Sequence, residues 1–174
     1  MPMMTEKTEG FLALGSNLGD RKTYLRKAIL LIDDLPGVSV RELSHIYETT
    51  PVGGEGSFYL NMALDFESNL APTILMEQLL KIESLLGRRR TGITNEARVI
   101  DIDMLLYGDE IIDNNTLTLP HPRMHKREFV LAPLYELAPM VRHPISGKTI
   151  QELLAEAERT GVIKRGPINI SHKA

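Results

Sequence analysis

Asp101 and Asp103 stand in an otherwise apolar stretch, RVIDIDMLLYG, at positions 98–108. Successive side chains of a strand point to opposite faces. Ile100, Ile102, Met104 and Leu106 therefore share one face, and Asp101, Asp103 and Leu105 share the other. The two carboxylates lie about 7 Å apart at Cα. Like charges at that spacing repel, and buried carboxylates need a positive partner. Paired oxygen ligands on one strand face suit Mg²⁺, a hard cation that water and phosphate oxygens complete. Two such ions could sit about 4 Å apart across a polyphosphate. The plain alternative is a solvated acidic strand face.

Cations are concentrated in two other places. GRRRTGITNEAR, at 87–98, holds Arg88, Arg89, Arg90 and Arg98 among turn-forming residues. Arginines in such a loop can grip phosphate oxygens bidentately, although an exposed charge run has the same composition. LPHPRMHKREF carries His121, Arg123, His125, Lys126 and Arg127, which form either a phosphate-facing wall or a basic surface. The prolines flanking His121 make an ordinary helix there unfavourable, and the histidine pair is too sparse for zinc. Arginines beside metal-binding carboxylates meet the needs of phosphoryl transfer, where positioning and charge neutralisation do most of the catalysis. In FYLNMALDF, Tyr59 and Asn61 face away from the stripe Phe58, Leu60, Met62, Leu64 and Phe66. A flat ring and an amide that both donates and accepts could read a planar heterocycle; a half-buried sheet face is the alternative. ALGSNLGD has the glycines of a phosphate loop but neither the Walker A nor the dinucleotide-binding pattern.

These groups need a frame. FLALGS at 11–16 reads as a strand, and Asp20 as the N-cap of a helix whose apolar positions are Leu25, Ala28, Ile29 and Ile32. Leu35, Pro36 and Gly37 end that helix, and 38–48 reads as one strand. A loop at 50–56 leads to the strand at 58–66. Pro72 opens a second helix with the stripe Ile74, Leu75, Leu79, Ile82 and Leu86, and Gly87 stops it. After the aspartate strand, Gly108 and Asp109 turn the chain into a hairpin arm at 110–112, and helices follow at 126–137 and 149–159. The order fits an α+β fold. It is a ferredoxin-like α/β sandwich with helices on one face and an added C-terminal hairpin and helices. Residues 1–10 are expected to form a flexible N-terminal tail, 11–160 a single domain and 161–174 a C-terminal tail. With no cysteine, disulfides and thiolate metal sites are excluded. There is no apolar run of the about 18 residues a membrane span needs, and the polar start points to the cytoplasm. A net charge of −3 argues against a nucleic-acid partner.

The segments LGSNLGD, YETTPVG, FYLNMAL, IESLLGRRR, RVIDIDMLLYG and LPHPRMHKREFVLAPL, in this order, resemble the 6-hydroxymethyl-7,8-dihydropterin pyrophosphokinases of folate synthesis, from about Phe11 to Leu154. The resemblance implies transfer of the β,γ-diphosphate of ATP to the hydroxymethyl group of the pterin, with AMP released and two Mg²⁺ ions required. It implies Asp101 and Asp103 as metal ligands, and Arg88, Arg90 and Arg98 as catalytic cations beside them. Glu83, Arg98, Ile102, His121 and Arg127 would serve ATP; Thr49, Val52, Gly53, Tyr59, Asn61 and Phe129 would serve the pterin. The partners are then small molecules, with no nucleic acid and no membrane, and the chain a monomer. Asn95, Glu96 and Ala97 depart from the Gly-Pro that often precedes the arginine at position 98, which implies altered loop stiffness and nucleotide affinity. The residues alone also allow a two-metal phosphoester or nucleotide hydrolase, or a sheet that stacks single-stranded RNA on Tyr59.

Overall fold

The structure, a computed structural model, describes residues 3–49, 58–88 and 98–170. The elements run β1 (Met3–Ser16), α1 (Arg21–Asp33), β2 (Val38–Leu43), β3 (His45–Thr49), β4 (Tyr59–Leu70), α2 (Pro72–Leu85), β5 (Asp101–Tyr107), β6 (Ile112–Asp113) and β7 (Thr118–Leu119). A 3₁₀ turn (Met124–Lys126), α3 (Glu128–Leu137), α4 (Ile150–Glu156) and β8 (Ile163–Pro167) complete the chain. The main sheet has the order β5-β1-β4-β3-β8 with β2 also on β4, and its pairs are antiparallel. With β1 and β4 central, this is the ferredoxin-like arrangement.

Local signals explain the helices on the first face. Asp20 accepts a hydrogen bond from the Thr23 N–H at 3.2 Å and caps α1, while Pro72 occupies the first turn of α2. Leu25, Ala28, Ile29 and Ile32 of α1 and Leu75, Leu79 and Ile82 of α2 pack on Leu12, Leu14, Leu60, Met62, Leu64, Phe66, Ile100, Ile102 and Met104. Each fully buried side chain of this kind contributes about 1.5–3 kcal/mol.

The opposite face is not left open as expected. α3 and α4 cover part of it, through a second core of Phe11, Ala63, Leu105, Leu106, Met124, Val130, Leu131, Leu134, Ile150 and Leu153. Helices therefore lie on both faces. Leu106 belongs to this second core because Phe11 pairs with Leu106 but Leu12 with Met104, so Leu105 is an extra residue in β5. That bulge reverses the alternation beyond Leu105.

Other boundaries move for similar reasons. The strand expected at 38–48 divides at Ser44, whose hydroxyl accepts the Ala63 N–H at 2.9 Å. The hairpin pairs β6 with β7 rather than an arm with β5. The fourth helix is shorter than 149–159, because Thr149 caps it in a reciprocal box with Glu152 and it ends at Glu156. Neither expected tail is wholly loose: residues 3–10 extend β1, where Thr8 and Gly10 pair with Ser68 and Phe66, and β8 pairs with β3. Among the described residues no helix is long and apolar enough to cross a membrane.

Candidate active site

The uncovered part of the second face carries the residues of interest, and strand register puts them in rows. Gly15 pairs with Asn61 on one side and Asp101 on the other; Ala13 pairs likewise with Ala63 and Asp103. Asn61 and Asp101 are thus one strand apart, about 10 Å across the sheet. Gly15 keeps the floor between them low, since a Cβ there would meet Asn61 Oδ1 at 3.0 Å. Tyr59 pairs with Thr49 at the strand ends, and Asn61 Nδ2 donates to Thr49 Oγ1 at 2.9 Å. Both Thr49 and Asn61 are buried.

The end of α2 delivers the first cation. Gly87 adopts φ +100°, and the Gly87 and Arg88 N–H groups donate to the carbonyls of Ser84 and Glu83, each at 3.0 Å. This Schellman turn folds Arg88 back over the helix end toward β5. Its Nη1 donates to Glu83 Oε2 at 2.8 Å and to Asp101 Oδ1 at 2.7 Å, with the side chain only 7% exposed. Glu83 Oε2 also accepts the Ile102 N–H at 2.6 Å, so the helix acid ties α2 to β5. Arg98 Nη1 reaches Asp101 Oδ2 at 3.2 Å. The positive partner that the paired aspartates demanded is therefore present. The buried Nε atoms of Arg88 and Arg98 have no hydrogen-bond acceptor among the described residues.

Burial sets the electrostatics. It pushes the Asp103 carboxyl up to about 7, with Asp101 and Glu83 adding to the rise and Arg127 and Arg88 opposing it. Burial, then the neighbouring Arg127 and Arg123, bring His121 down to about 4. His121 Nδ1 accepts the Arg123 N–H at 3.2 Å, so the proton of the neutral ring is on Nε2, a donor suited to an anion. Burial and Arg123 lower Arg127, whose guanidinium lies 5.5 Å from the centre of the Phe129 ring. Burial raises the Tyr59 phenol, and Arg98, Asp101 and Arg88 also act on it.

The structure thus gathers Glu83, Arg88, Arg98, Asp101, Asp103, His121, Arg127 and Tyr59 into one charged neighbourhood, with Thr49 and Asn61 beside it and Phe129 under Arg127. The Ile102 side chain instead lies in the first core and its N–H is taken by Glu83, so a contact with ATP would go through its carbonyl. Arg90, Val52, Gly53 and the Asn95, Glu96 and Ala97 departure lie outside the described residues. Two supporting residues escaped the sequence. Glu136 of α3 accepts from His45 N at 3.0 Å and Tyr47 Oη at 2.9 Å and so braces β3; Asn17 bonds the backbone of Arg98. Asn17 stood in a motif read only as a weak phosphate loop, although its place two residues beyond Gly15 was a usable signal.

Fold and site together define a ferredoxin-like α/β domain with a carboxylate–arginine cleft on its open sheet face. The family model for 7,8-dihydro-6-hydroxymethylpterin-pyrophosphokinase (HPPK) matches residues 11–139. A 2-amino-4-hydroxy-6-hydroxymethyldihydropteridine pyrophosphokinase of Bacillus subtilis is 45% identical over 144 residues, covering 82% of this chain and 86% of the relative. The protein of the same name from Haemophilus influenzae is 38% identical over 158 residues, covering 90% and 98%. Among solved structures, wild-type Plasmodium falciparum HPPK-DHPS with pterin and p-hydroxybenzoate superposes with TM-score 0.69 at 16% identity, covering 90% of this chain and 42% of that one. That likeness speaks for the fold, and this chain spans under half of the longer Plasmodium chain. The chain belongs to the HPPK family.

Proposed function

We propose that the cleft carries out the family's reaction with Asp101 and Asp103 as Mg²⁺ ligands and Arg88, Arg98, His121 and Arg127 on the triphosphate. The chain transfers diphosphate from ATP to 6-hydroxymethyl-7,8-dihydropterin in folate synthesis, giving AMP and the pterin diphosphate. The observation that carries the site assignment is Asp101 held between Arg88 and Arg98, beside a buried Asp103 and in one row with Asn61.

The donor set fits magnesium. It offers two hard carboxylates on alternate residues of one strand face, and burial raises Asp103 to about 7 although Arg127 and Arg88 act against the rise. Among the described residues no group of three or more His, Asp or Glu is placed to hold a metal ion by itself, so phosphate oxygens and water would complete the coordination. Magnesium, when bound, withdraws charge from phosphoryl oxygens and makes the pterin hydroxyl easier to deprotonate.

The remaining work falls to this chain's side chains. Tyr59 and Phe129 flank the pterin ring, and Asn61 and Thr49, with Val52 and Gly53, read its edge. That arrangement points the hydroxymethyl group along the row toward Asp101. The Nε donors of Arg88 and Arg98 take phosphate oxygens and neutralise charge as the bond to the AMP oxygen breaks. Neutral His121 donates from Nε2, and Arg127 adds charge from the far wall. Arg90 is assigned a catalytic role beside them, and Glu83 holds Arg88 in place. We place the activity in a single domain, to which β1 from Met3 and β8 also belong, of a cytoplasmic monomer that acts on small molecules and has no nucleic-acid or membrane partner; the net charge of −3 argues against nucleic acid.

Incubation with ATP, Mg²⁺ and the hydroxymethyl pterin, followed by mass analysis, tests the reading. AMP with a diphosphorylated pterin is expected. AMP with free diphosphate would make the chain a hydrolase and overturn it.

A further inference from the structure

We propose that Asn17 is a positioning residue for diphosphate transfer, acting through Arg98. This rests on the assignment of Arg98 to the nucleotide phosphates. The β1–β5 ladder reaches no further than the Gly15–Asp101 pair, so sheet pairing does not fix the backbone of Arg98. Asn17 does. Its N–H donates to the Arg98 carbonyl at 3.0 Å, and its Oδ1 accepts the Arg98 N–H at 2.8 Å. Both polar groups of one peptide backbone are thus held by a single residue, and that residue is only 7% exposed.

Asn17 is itself fixed on both sides. Ser16 before it pairs with Leu60 in the sheet, and Asp20, three residues on, caps α1 after a turn at Gly19 with φ +73°. The junction of β1 and α1 therefore sets where the Arg98 chain starts. From that start the guanidinium reaches Asp101 Oδ2 at 3.2 Å. Asparagine suits the task because its short side chain places an acceptor oxygen within reach of the Arg98 N–H.

The test is a double-mutant cycle on the full chain with ATP, Mg²⁺ and the pterin. Asn17→Ala is expected to lower kcat about ten-fold, because a small misplacement of a charge-neutralising group is costly, and to leave KM for the pterin within about two-fold. In an Arg98→Ala background the same substitution is expected to change kcat by less than about two-fold. An equal loss in both backgrounds, or Asn17→Ala turnover within about two-fold of the parent, would overturn the inference while leaving the Arg98 assignment standing. Parent-like turnover of Arg98→Ala alone would overturn the assignment and the inference with it. If Asn17→Ala does not fold, Asn17→Asp keeps the acceptor. Turnover within about three-fold of the parent supports positioning, and a loss as large as that of Arg98→Ala contradicts it.

Discussion

Asp101 and Asp103 lie on the second sheet face level with Gly15 and Ala13 of β1; Glu9 and Asp65 lie level with residues 9 and 11, on average about 13 Å along the strand. Both pairs set two carboxyls side by side on a partly buried surface. Asp101 is gripped by Arg88 and Arg98, and Arg127 acts on Asp103. Burial first, and then the charge of the neighbouring Glu9, pushes Asp65 up to about 6. Arg41 lies near them but is half exposed and pairs with Glu67. The second pair lines a cavity of about 380 Å³ with Phe11, Leu137, Ala138 and Met140, where no described cation converges on Asp65 as two do on Asp101. On the proposed assignment, adjacent acids are not enough for a metal–phosphate site. Arg88 at the end of α2 and Arg98 ahead of β5 make the difference.

The largest effect that would break this contrast is on turnover. Asp103→Asn should lower kcat/KM by about 100- to 1,000-fold, or about 3–4 kcal/mol, the scale of removing one preorganised electrostatic group. Asp65→Asn and Glu9→Gln should stay within about two-fold in the same steady-state assay. Comparable losses at the two pairs would end the comparison.

Next in size is stability. Arg88→Met removes the buried cation that Glu83 and Asp101 share and should cost about 3 kcal/mol in urea unfolding. Arg41→Met, on an exposed pair, should cost less than about 1 kcal/mol. Equal midpoints for the two variants would show that burial of Arg88 carries no energetic weight.

The smallest effect sharpens the other pair. Asp65 binds its proton more tightly folded, at about 6, than at its ordinary 3.8, so its ionisation opposes folding. That cost is absent below about pH 3, grows between about 4 and 6 and is complete above that. Asp65→Asn removes the cost. It should be more stable than the parent by on the order of 2 kcal/mol at pH 8 and about equal at about pH 3. Thermal unfolding across that range checks the sign, and a variant less stable at pH 8 would refute it.

The contrast also marks where sequence reasoning stops. Period two placed Asp101 and Asp103 together, and Tyr59 with Asn61, because β4 and β5 alternate regularly over those residues. The Asp20 cap and the Gly87 stop were legible because both are local chemistry. Leu106 was misplaced because a bulge has no mark in one strand's own sequence; it is defined by the partner. Glu9 lay in an expected tail, and Asp65 read as an ordinary polar-face residue, since only the packing of α3 buries it. Asn17 and Glu136 act on residues 81 and 91 positions away, across contacts that spacing does not encode.

The central claim is that Asp101 and Asp103 hold magnesium against the nucleotide triphosphate. A crystal grown with Mn²⁺ in place of magnesium, the pterin and a non-hydrolysable ATP analogue tests it directly by anomalous scattering. The account predicts metal peaks within about 2.0–2.3 Å of carboxylate oxygens of both aspartates, bridged to the phosphates. Metal bound to the phosphates elsewhere, with Asp101 still closed on Arg88 and Arg98, would contradict it.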